Sequence, residues 1–236
     1  MFMQAVIMAA GRGKRLNELT EDLPKVMMPV NGTNIIEIIL KQLSQIGVND
    51  VLIIVNYKKE KIIDYLGNEK FGMKLNYVEQ KERLGTANAV SYAEPFITDE
   101  HFFVIAGDSI FPTEILGKIS SHDCDGVLTV CKVENPKNFG VIETDNNKVK
   151  TIIEKSENPP TNLANTSIYY FPKDIFDACK RISLSPRGEY EITDAIQLLI
   201  DEGKTFEYEV LSCWLDVGTK SQLEQAQKLA KELFSN

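Results

Sequence analysis

The sequence has few of the residues that build metal centres or disulfide frameworks. Its 236 residues include four cysteines, scattered along the chain without a CxxC pair, and only two histidines. This scarcity suggests neither a zinc site nor a disulfide framework, so we expect a protein of the reducing cytoplasm. The cysteines are best interpreted as small core or surface residues.

Long hydrophobic runs, excess basic charge and internal repeats are also missing. The first apolar run, 4–10, is too short to span a membrane, and basic residues follow it, whereas they would precede the apolar part of a signal peptide. A net charge of −8, from 26 basic and 34 acidic residues, argues against nucleic-acid and anionic-membrane partners. A hydrophobic content of 43% supports a sizeable core. With no composition shift to mark a linker, we expect one domain over residues 1–236.

The first half of the chain alternates apolar runs with helical patterns. The continuous β-branched run 51–55 predicts a strand covered on both faces, and the isoleucine spacing of 34–46 predicts a helix. This rhythm favours a mostly parallel sheet with helices on both faces. Further predicted strands are 4–10, 74–79 and 102–106, and further predicted helices are 58–66 and 86–93.

The second half changes character, with short strands in close succession. A hairpin-like turn is predicted at 144–147. The last helix, 219–234, begins with Thr219 as N-cap and Gln222 three residues later, which is a capping box. The predicted strands are 126–133, 141–144, 148–153, 166–171 and 205–213, and the other predicted helices are 174–181 and 191–202.

The first strand stops abruptly at a glycine turn that is rich in cations. Glycines let a backbone approach a ligand and present bare N–H groups, and cations beside such a turn suggest an anion, most simply a polyphosphate. Leu16 and the absence of Ser or Thr at position 15 exclude the dinucleotide and P-loop patterns. A plain turn with solvated basic residues remains an alternative. The residues concerned are Gly11, Arg12, Gly13, Lys14 and Arg15, with Lys25 behind Pro24.

Other polar residues follow predicted strands, and ligands of parallel α/β sheets bind at the carboxyl ends of strands. Each has an ordinary explanation alone, as a turn, a helix start or a loop carboxylate. Together they describe a site with a Gln to recognise a base edge, a backbone N–H and two carboxylates. Asp108 and Asp216 suit Mg2+ if the fold brings them together, because Mg2+ takes one or two carboxylates plus substrate phosphates. The remaining members are Gln80, Gly85 and Thr86.

The ordered series of motifs resembles the sugar-1-phosphate nucleotidylyltransferases. Residues 8–16 look like the signature loop of that family, and residues 20–25 continue it. The phrases 84–87, 107–108, 154–155 and 214–219 also match, in order and at similar spacing. The resemblance implies a Rossmann-like α/β fold with a mixed, mostly parallel central sheet. It also implies a nucleotide-binding part of about 1–110, a sugar-binding part of about 111–218 and a C-terminal helix, 219–234.

The same resemblance implies a role for each matched residue. Arg15 would grip the leaving pyrophosphate, Lys25 would lie against the α-phosphate, and Arg12 and Lys14 would be supporting charges. Asp108 and Asp216 would hold Mg2+ and, with Arg15 and Lys25, form the catalytic set. The implied nucleotide-binding residues are Ala10, Gly11, Gly13, Gln80, Gly85 and Thr86, with Gln80 and Gly85 on a pyrimidine. The implied sugar-phosphate-binding residues are Gly140, Glu154, Lys155 and Asn165.

The implied reaction transfers a nucleotidyl group from UTP or dTTP to glucose 1-phosphate or N-acetylglucosamine 1-phosphate, and pyrophosphate leaves. Use of GTP with mannose 1-phosphate, a CTP-dependent transfer, and a non-catalytic sugar-nucleotide sensor are the alternatives. Assembly as a dimer or tetramer is left open. No hexapeptide repeats follow the last helix, so acetyl transfer is not expected.

Four positions depart from the family pattern. Ser156 and Lys220 stand where proline is frequent, Ser167 stands where glycine is usual, and Asn88 replaces a His common in N-acetylglucosamine-1-phosphate uridylyltransferases. The first three lie near the expected sugar side of the site. They bear on the identity of the sugar more than on the reaction.

Overall fold

The computed structural model describes residues 3–16 and 19–234, with the side chains of Lys14 and Leu19 outside that description. The strands are β1 (Gln4–Ala9), β2 (Pro29–Val30), β3 (Thr33–Asn34), β4 (Asp50–Val55), β5 (Glu69–Lys70), β6 (Met73–Glu79), β7 (His101–Ala106), β8 (Ser109–Ile110), β9 (Gly126–Lys132), β10 (Val141–Asp145), β11 (Lys148–Ile153), β12 (Leu163–Pro172), β13 (Phe206–Val210) and β14 (Leu215–Asp216). The α-helices are α1 (Leu19–Asp22), α2 (Ile35–Gln45), α3 (Lys59–Leu66), α4 (Thr86–Ser91), α5 (Glu114–Ile119), α6 (Asp174–Arg181), α7 (Ile192–Asp201) and α8 (Lys220–Phe234).

A ten-stranded mixed sheet forms the centre of the fold. Its strand order is β10-β11-β13-β9-β12-β7-β1-β4-β6-β5. The strands β7, β1, β4 and β6 are parallel neighbours, and β13 is parallel to β9. The strand β12 runs antiparallel between β7 and β9 and so joins the two halves of the sheet. The parallel part therefore presents several strand carboxyl ends along one edge.

Two apolar layers cover the sheet, one on each face. Alternate residues of β1 point to opposite layers: Ile7 is buried in one and Val6 in the other. The helices α2, α3, α5 and α8 cover the first face, and α4, α6 and α7 cover the second. Because both faces are covered, the central strands are apolar throughout, which is why they stand out as continuous runs in the sequence.

The predicted strands and helices are present, with ends shifted by a few residues. The turn at 144–147 joins antiparallel β10 and β11, and Asn146 there has φ of 55°. One half of the capping box forms, since the Gln222 backbone N–H donates to Thr219 Oγ1 at 3.2 Å; the Gln222 side chain instead accepts the Gly218 N–H at 3.0 Å. The strand predicted at 205–213 is shorter, and the one at 166–171 is longer, extending back to Leu163. The division into nucleotide-binding and sugar-binding parts stays a prediction.

The sequence analysis missed several short elements. Two-residue strands such as β8 and β14 carry no measurable periodicity, and α5 is only six residues long. Among residues 3–16 and 19–234, no helix combines the length and apolar character needed to cross a membrane.

Candidate active site

The carboxyl ends of β1 and β7 lie side by side and place two polar loops next to each other. The Gly107 N–H donates to the Met8 carbonyl at 2.9 Å, and a Cβ on Gly107 would come within 2.9 Å of that same oxygen. Only glycine allows the loop after β7 to approach β1 so closely. Asp108 therefore leaves the sheet directly beside the loop that follows β1.

A buried lysine lies between two carboxylates at this edge. Lys25 begins a 3-10 turn after Pro24, and its Nζ is 2.5 Å from Asp108 Oδ2 and 2.9 Å from Asp216 Oδ1. The Lys25 side chain is 9% exposed, and each carboxylate side chain is 27% exposed. The structure thus brings together three of the four residues predicted to be catalytic.

The short pairing of β8 with β14 delivers Asp216 to this cluster. Asp216 is paired with Ser109 in an antiparallel register, and the Val217 N–H donates to the Asp108 carbonyl at 3.0 Å. Trp214 supports the same strand, because its Nε1–H donates to Ser109 Oγ at 3.4 Å. Backbone hydrogen bonds therefore fix the two carboxylates beside each other.

Burial and neighbouring charges shift the pKa values of Lys25 and Asp216. Burial is the largest influence on the pKa of Lys25 and lowers it, but the two carboxylates together outweigh burial and hold it above its usual value. Burial, and then the charge of Asp108, raise the pKa of Asp216, although Lys25 and Arg15 act in the opposite direction. Two carboxylates face one buried ammonium here, so additional positive charge would be favourable.

The glycine turn after β1 lies against the same cluster. A Cβ on Gly13, where φ is +69°, would lie 3.0 Å from Lys25 Cβ, whereas a Cβ on Gly11 would meet nothing within 4 Å. Gly13 is therefore required for packing, and Gly11 leaves open space above the backbone. Ala10, the last residue before the turn, is buried.

The two described cationic side chains of the turn, Arg15 and Arg12, point in different directions. A Cβ on Gly218 would lie 2.8 Å from Arg15 Nη2, so the exposed Arg15 guanidinium covers the residues after β14. Arg12 instead lies over the ring of Tyr57, with 5.3 Å from Cζ to the ring centroid. The supporting role predicted for Lys14 concerns a side chain outside the described residues.

A second group of residues surrounds Gln80, which follows β6. The Gln80 side chain is buried, and its Nε2 donates to the Gly85 carbonyl at 3.2 Å and to Asn88 Oδ1 at 2.8 Å. Asn88 Oδ1 also accepts the Leu84 N–H at 3.5 Å. A backbone carbonyl can only accept and a backbone N–H can only donate, so both amide orientations are determined. Within the described part of the chain, Gln80 Oε1 accepts no hydrogen bond and the Gly85 N–H donates none.

The residues next to Gly85 hold this loop against the segment before α7. A Cβ on Gly85, where φ is +114°, would lie 2.4 Å from the Tyr190 carbonyl oxygen. The Tyr190 N–H donates to the Leu84 carbonyl at 2.7 Å, and Thr86 Oγ1 accepts the Ile192 N–H at 2.9 Å. The Thr86 hydroxyl therefore has a structural partner, and its predicted part in nucleotide binding stays a prediction.

The residues predicted to bind the sugar phosphate gather around the loop before β10. A Cβ on Gly140 would lie 2.8 Å from Glu154 Oε2 and 3.8 Å from Asn165 Cβ. Lys155 has φ of 41°, and its Nζ is 3.5 Å from Glu154 Oε1. These four residues are neighbours, as the resemblance implies. Trp214 connects them to the lysine cluster through Phe139, with ring centroids 5.5 Å apart.

Asn165 lies inside β12 rather than in a loop, at a bulge that interrupts pairing with β9. Its Nδ2 donates to the Tyr169 hydroxyl at 2.7 Å, and its Oδ1 accepts the Ser167 N–H at 3.3 Å. Ser167 has φ of 59°, in the left-handed region that favours glycine. The bulge thus gives a physical reason why glycine suits this position, where the sequence departs from the family pattern.

Sequence reasoning missed charged residues that the segment before α7 places beside Glu154. Arg187 lies 3.4 Å from Glu154 Oε1 and 2.8 Å from Glu191 Oε1, and Thr193 Oγ1 donates to Glu154 Oε2 at 3.3 Å. Burial, and then the charge of Glu154, raise the pKa values of Glu191 and Asp194. The charged residues on either side of Gly188 were the only sequence feature that could have indicated this part of the site, but such a run by itself indicates an ordinary loop.

A family model described as nucleotidyl transferase matches residues 4–232, which is nearly the whole chain. The chain belongs to the nucleotidyl transferase family. This agrees with the resemblance noted from the motifs, and the fold is the mixed α/β fold expected for it.

Two relatives with known names match nearly the whole chain. The chain is 38% identical over 237 residues to UTP–glucose-1-phosphate uridylyltransferase AglF of Haloferax volcanii, covering 98% of this chain and 97% of that protein. It is 40% identical over 227 residues to the bifunctional protein GlmU of Methanocaldococcus jannaschii, covering 96% of this chain and 54% of that protein. The chain thus spans about half the length of the bifunctional relatives it matches.

Two solved structures share the fold. A Bacillus anthracis structure assigned as a glucose-1-phosphate thymidylyltransferase, in complex with sucrose, has a TM-score of 0.87 at 29% identity and covers 98% of this chain and 96% of its own. A UDP-glucose pyrophosphorylase complexed with UDP-glucose has a TM-score of 0.88 at 22% identity and covers 98% and 99%. At 22% identity, the similarity to the UDP-glucose pyrophosphorylase supports the fold alone.

Proposed function

We propose that this protein transfers a nucleotidyl group from UTP or dTTP to a hexose 1-phosphate, glucose 1-phosphate or N-acetylglucosamine 1-phosphate, and releases pyrophosphate. The observation that carries the proposal is the buried Lys25 held between Asp108 and Asp216 beside the open turn at Gly11. Buried charges of this kind cost stability in a fold, so their presence argues for chemistry.

The reaction joins two polyanions, and the cations supply what it needs. An oxygen of the sugar phosphate attacks the α-phosphorus of the nucleotide in line, a P–O bond forms, and the bond to pyrophosphate breaks. The nucleophile is already an anion, so no catalytic base is required. Lys25 is placed to stabilise charge on the α-phosphate, and Arg15 to hold the leaving pyrophosphate.

The two carboxylates suit Mg2+ by their chemistry and by their charge. Asp108 in the turn after β7 and Asp216 on β14 offer hard oxygen ligands beside each other, and two carboxylates against one lysine, with open space at Gly11, fit a divalent cation. Asp108 and Asp216 would hold this ion. When bound, it would neutralise charge on the phosphates and on the transferring phosphoryl group. Lys25 lies between the two carboxylates and offsets their mutual repulsion.

The orientation of Gln80 favours uracil or thymine as the base. Its free Oε1 accepts a hydrogen bond, and uracil and thymine offer the N3–H that such an acceptor requires. Cytosine and adenine present an unprotonated nitrogen at the corresponding position and would leave Oε1 facing an acceptor. Guanine has an N1–H and so is the base to test as a competitor.

A matrix of substrates tests the proposal. The protein is incubated with Mg2+ and each combination of UTP, dTTP, GTP, CTP or ATP with glucose, N-acetylglucosamine or mannose 1-phosphate. Pyrophosphate release is measured. We expect release with UTP or dTTP and a glucose-type sugar phosphate, and much less with CTP or ATP. Absence of pyrophosphate from every combination refutes the proposal.

A non-catalytic sensor is separated from an enzyme by one substitution. In an enzyme, Asp108→Asn abolishes most pyrophosphate release. A sensor shows no release before or after the substitution but still binds UTP or dTTP, which calorimetry detects. The Lys180→Met variant is a matched control, because Lys180 pairs with Glu94 on the surface of the helical layer.

A further inference from the structure

A compact group of potential metal ligands lies far from the lysine cluster. His122 and Cys124 belong to the loop between α5 and β9, and Glu207 and Glu209 belong to β13. Both β9 and β13 begin here, so the group lies at the amino ends of these strands, whereas the candidate active site lies at the carboxyl ends of β1 and β7. His122, Cys124 and Glu207 each offer one ligand atom, and these three atoms all lie within 4.8 Å of one another.

The donor set is the one that Zn2+ prefers. Zinc binds imidazole nitrogen, thiolate sulfur and carboxylate oxygen, at bond lengths of about 2.0–2.3 Å in tetrahedral geometry. Ligand atoms in such a site are about 3.4 Å apart, so shifts of roughly 1 Å would complete it. A thiolate and an imidazole also disfavour Mg2+ and Ca2+, which require oxygen ligands.

Neighbouring groups already orient the ligands. His122 Nδ1 is 2.6 Å from Glu207 Oε2, and His122 Nε2 is 3.0 Å from Glu209 Oε1. A ligating histidine usually donates its second ring N–H to a carboxylate, which is the position of Glu209. The other oxygen of Glu207 accepts a hydrogen bond from Asn147 Nδ2 at 2.8 Å, which leaves Oε2 directed at the ring.

An access route is also present. The side chains of His122, Glu207 and Glu209 are 18%, 17% and 28% exposed and Cys124 is partly exposed, so an ion can reach the group from solvent. The Cys124 thiol donates to the Gly126 carbonyl at 3.3 Å and also lies beside the backbone of Glu207, which places it next to the second ligand.

We propose that His122 Nδ1, Cys124 Sγ and Glu207 Oε2 bind one Zn2+, with water in the fourth position and Glu209 holding the ring. The ion displaces the Nδ1 proton of the imidazolium and the thiol proton, so two protons are released for each zinc bound. The site ties the loop before β9 to β13. The sequence alone does not indicate it, because the carboxylates come from a strand far along the chain.

The test is zinc binding by the full chain after treatment with a chelator. Excess Mg2+ is kept in the buffer to occupy the carboxylates of the candidate active site. Zn2+ is titrated in competition with a chromophoric chelator, and Co2+ is used to detect a thiolate–metal absorption band. We expect one site with a Kd of about 1 µM or tighter and a higher melting temperature with zinc.

Three variants test the ligand assignment. Cys124→Ser should weaken zinc binding about 100-fold or more and remove the cobalt–thiolate band, and Glu209→Gln should weaken binding about 10-fold. Cys213→Ser, which removes another partly exposed thiol, should bind as the wild type does. Melting of Cys124→Ser in chelator should match that of the wild type and show that the variant folds.

Two results would overturn the proposal. Wild-type protein that binds no zinc shows that the group is an ion-paired histidine and nothing more. Equal zinc binding by wild type and Cys124→Ser shows that the metal lies elsewhere. Pyrophosphate release without zinc reports on the proposed function separately and is expected to be the same in Cys124→Ser.

Discussion

The amide of Asn88 should control which pyrimidine the protein accepts, because it sets the direction of Gln80. To bind CTP, the Gln80 amide must turn over and present its NH2 group to the cytosine ring nitrogen. That rotation places Oε1 against Asn88 Oδ1 and the Gly85 carbonyl, at the present donor distances of 2.8 and 3.2 Å. Two hydrogen bonds are lost, worth about 1 kcal/mol each.

The native orientation is therefore favoured by about 2 kcal/mol, or roughly 30-fold. In Asn88→Ala only the bond to the Gly85 carbonyl opposes rotation, which leaves about 1 kcal/mol, or roughly 5-fold. We expect the ratio of kcat/KM for UTP to kcat/KM for CTP to fall about 5-fold in this variant. The comparison of ratios removes any common effect on turnover or folding.

Asn88→Asp is the matched control. A carboxylate still accepts the hydrogen bonds from Gln80 Nε2 and from the Leu84 N–H, so the UTP preference should be kept. The assay is pyrophosphate release at several concentrations of each nucleotide with a fixed, saturating sugar phosphate. An unchanged ratio in Asn88→Ala, or an equal loss in Asn88→Asp, refutes the reasoning.

Three other predictions follow from single contacts. Lys25→Met should lower turnover about 100-fold or more, because a preorganised cation is lost, while Lys180→Met leaves turnover unchanged; pyrophosphate release is the measurement. At the left-handed Ser167, Ser167→Gly should be about 1 kcal/mol more stable to urea than Ser167→Ala, because glycine adopts a φ of 59° without the strain that a Cβ causes there. Burial, the largest influence, raises the pKa of Glu37, but hydrogen bonds, first that from Tyr65, outweigh it and hold this pKa below its usual 4.5. The carboxylate therefore stabilises the fold above pH 4.5, and the stability difference between wild type and Glu37→Gln, from urea melts, should shrink as the pH falls through the lowered pKa.

The large elements could be predicted from the sequence because burial leaves a pattern in them. Strands such as β4 are covered on both faces, so every position is apolar. The helix α8 shows both its capping box and its apolar side. The pairing of β8 with β14 leaves no such pattern, because each strand has two residues. Yet this pairing brings Asp216 to Asp108. Residue patterns alone could therefore identify the two carboxylates as candidates, but they could not show that the two lie side by side.

The polar partners of the site were harder to predict, because their roles depend on the directions of backbone groups that the residue pattern does not indicate. Asn88 looks like a helix residue until the carbonyl of Gly85 and the N–H of Leu84 fix the neighbouring amides. Thr86 looks like a ligand residue, but its hydroxyl accepts the Ile192 N–H. The Asn88 contacts depend on how the loop after β6 folds back on itself, and the Thr86 contact joins two segments far apart in the chain. Residue spacing alone indicates neither.

The matched motif residues differ in what they say about chemistry. Gly85 must be glycine for the fold, because any side chain would collide with the Tyr190 carbonyl, whether or not a nucleotide binds. A match at that position supports the architecture alone. Lys25, Asp108 and Asp216 have no such structural justification, since well-packed apolar residues are often at least as stabilising as a buried ion pair. These three residues are therefore the strongest indication of catalysis, and their substitution tests it most directly.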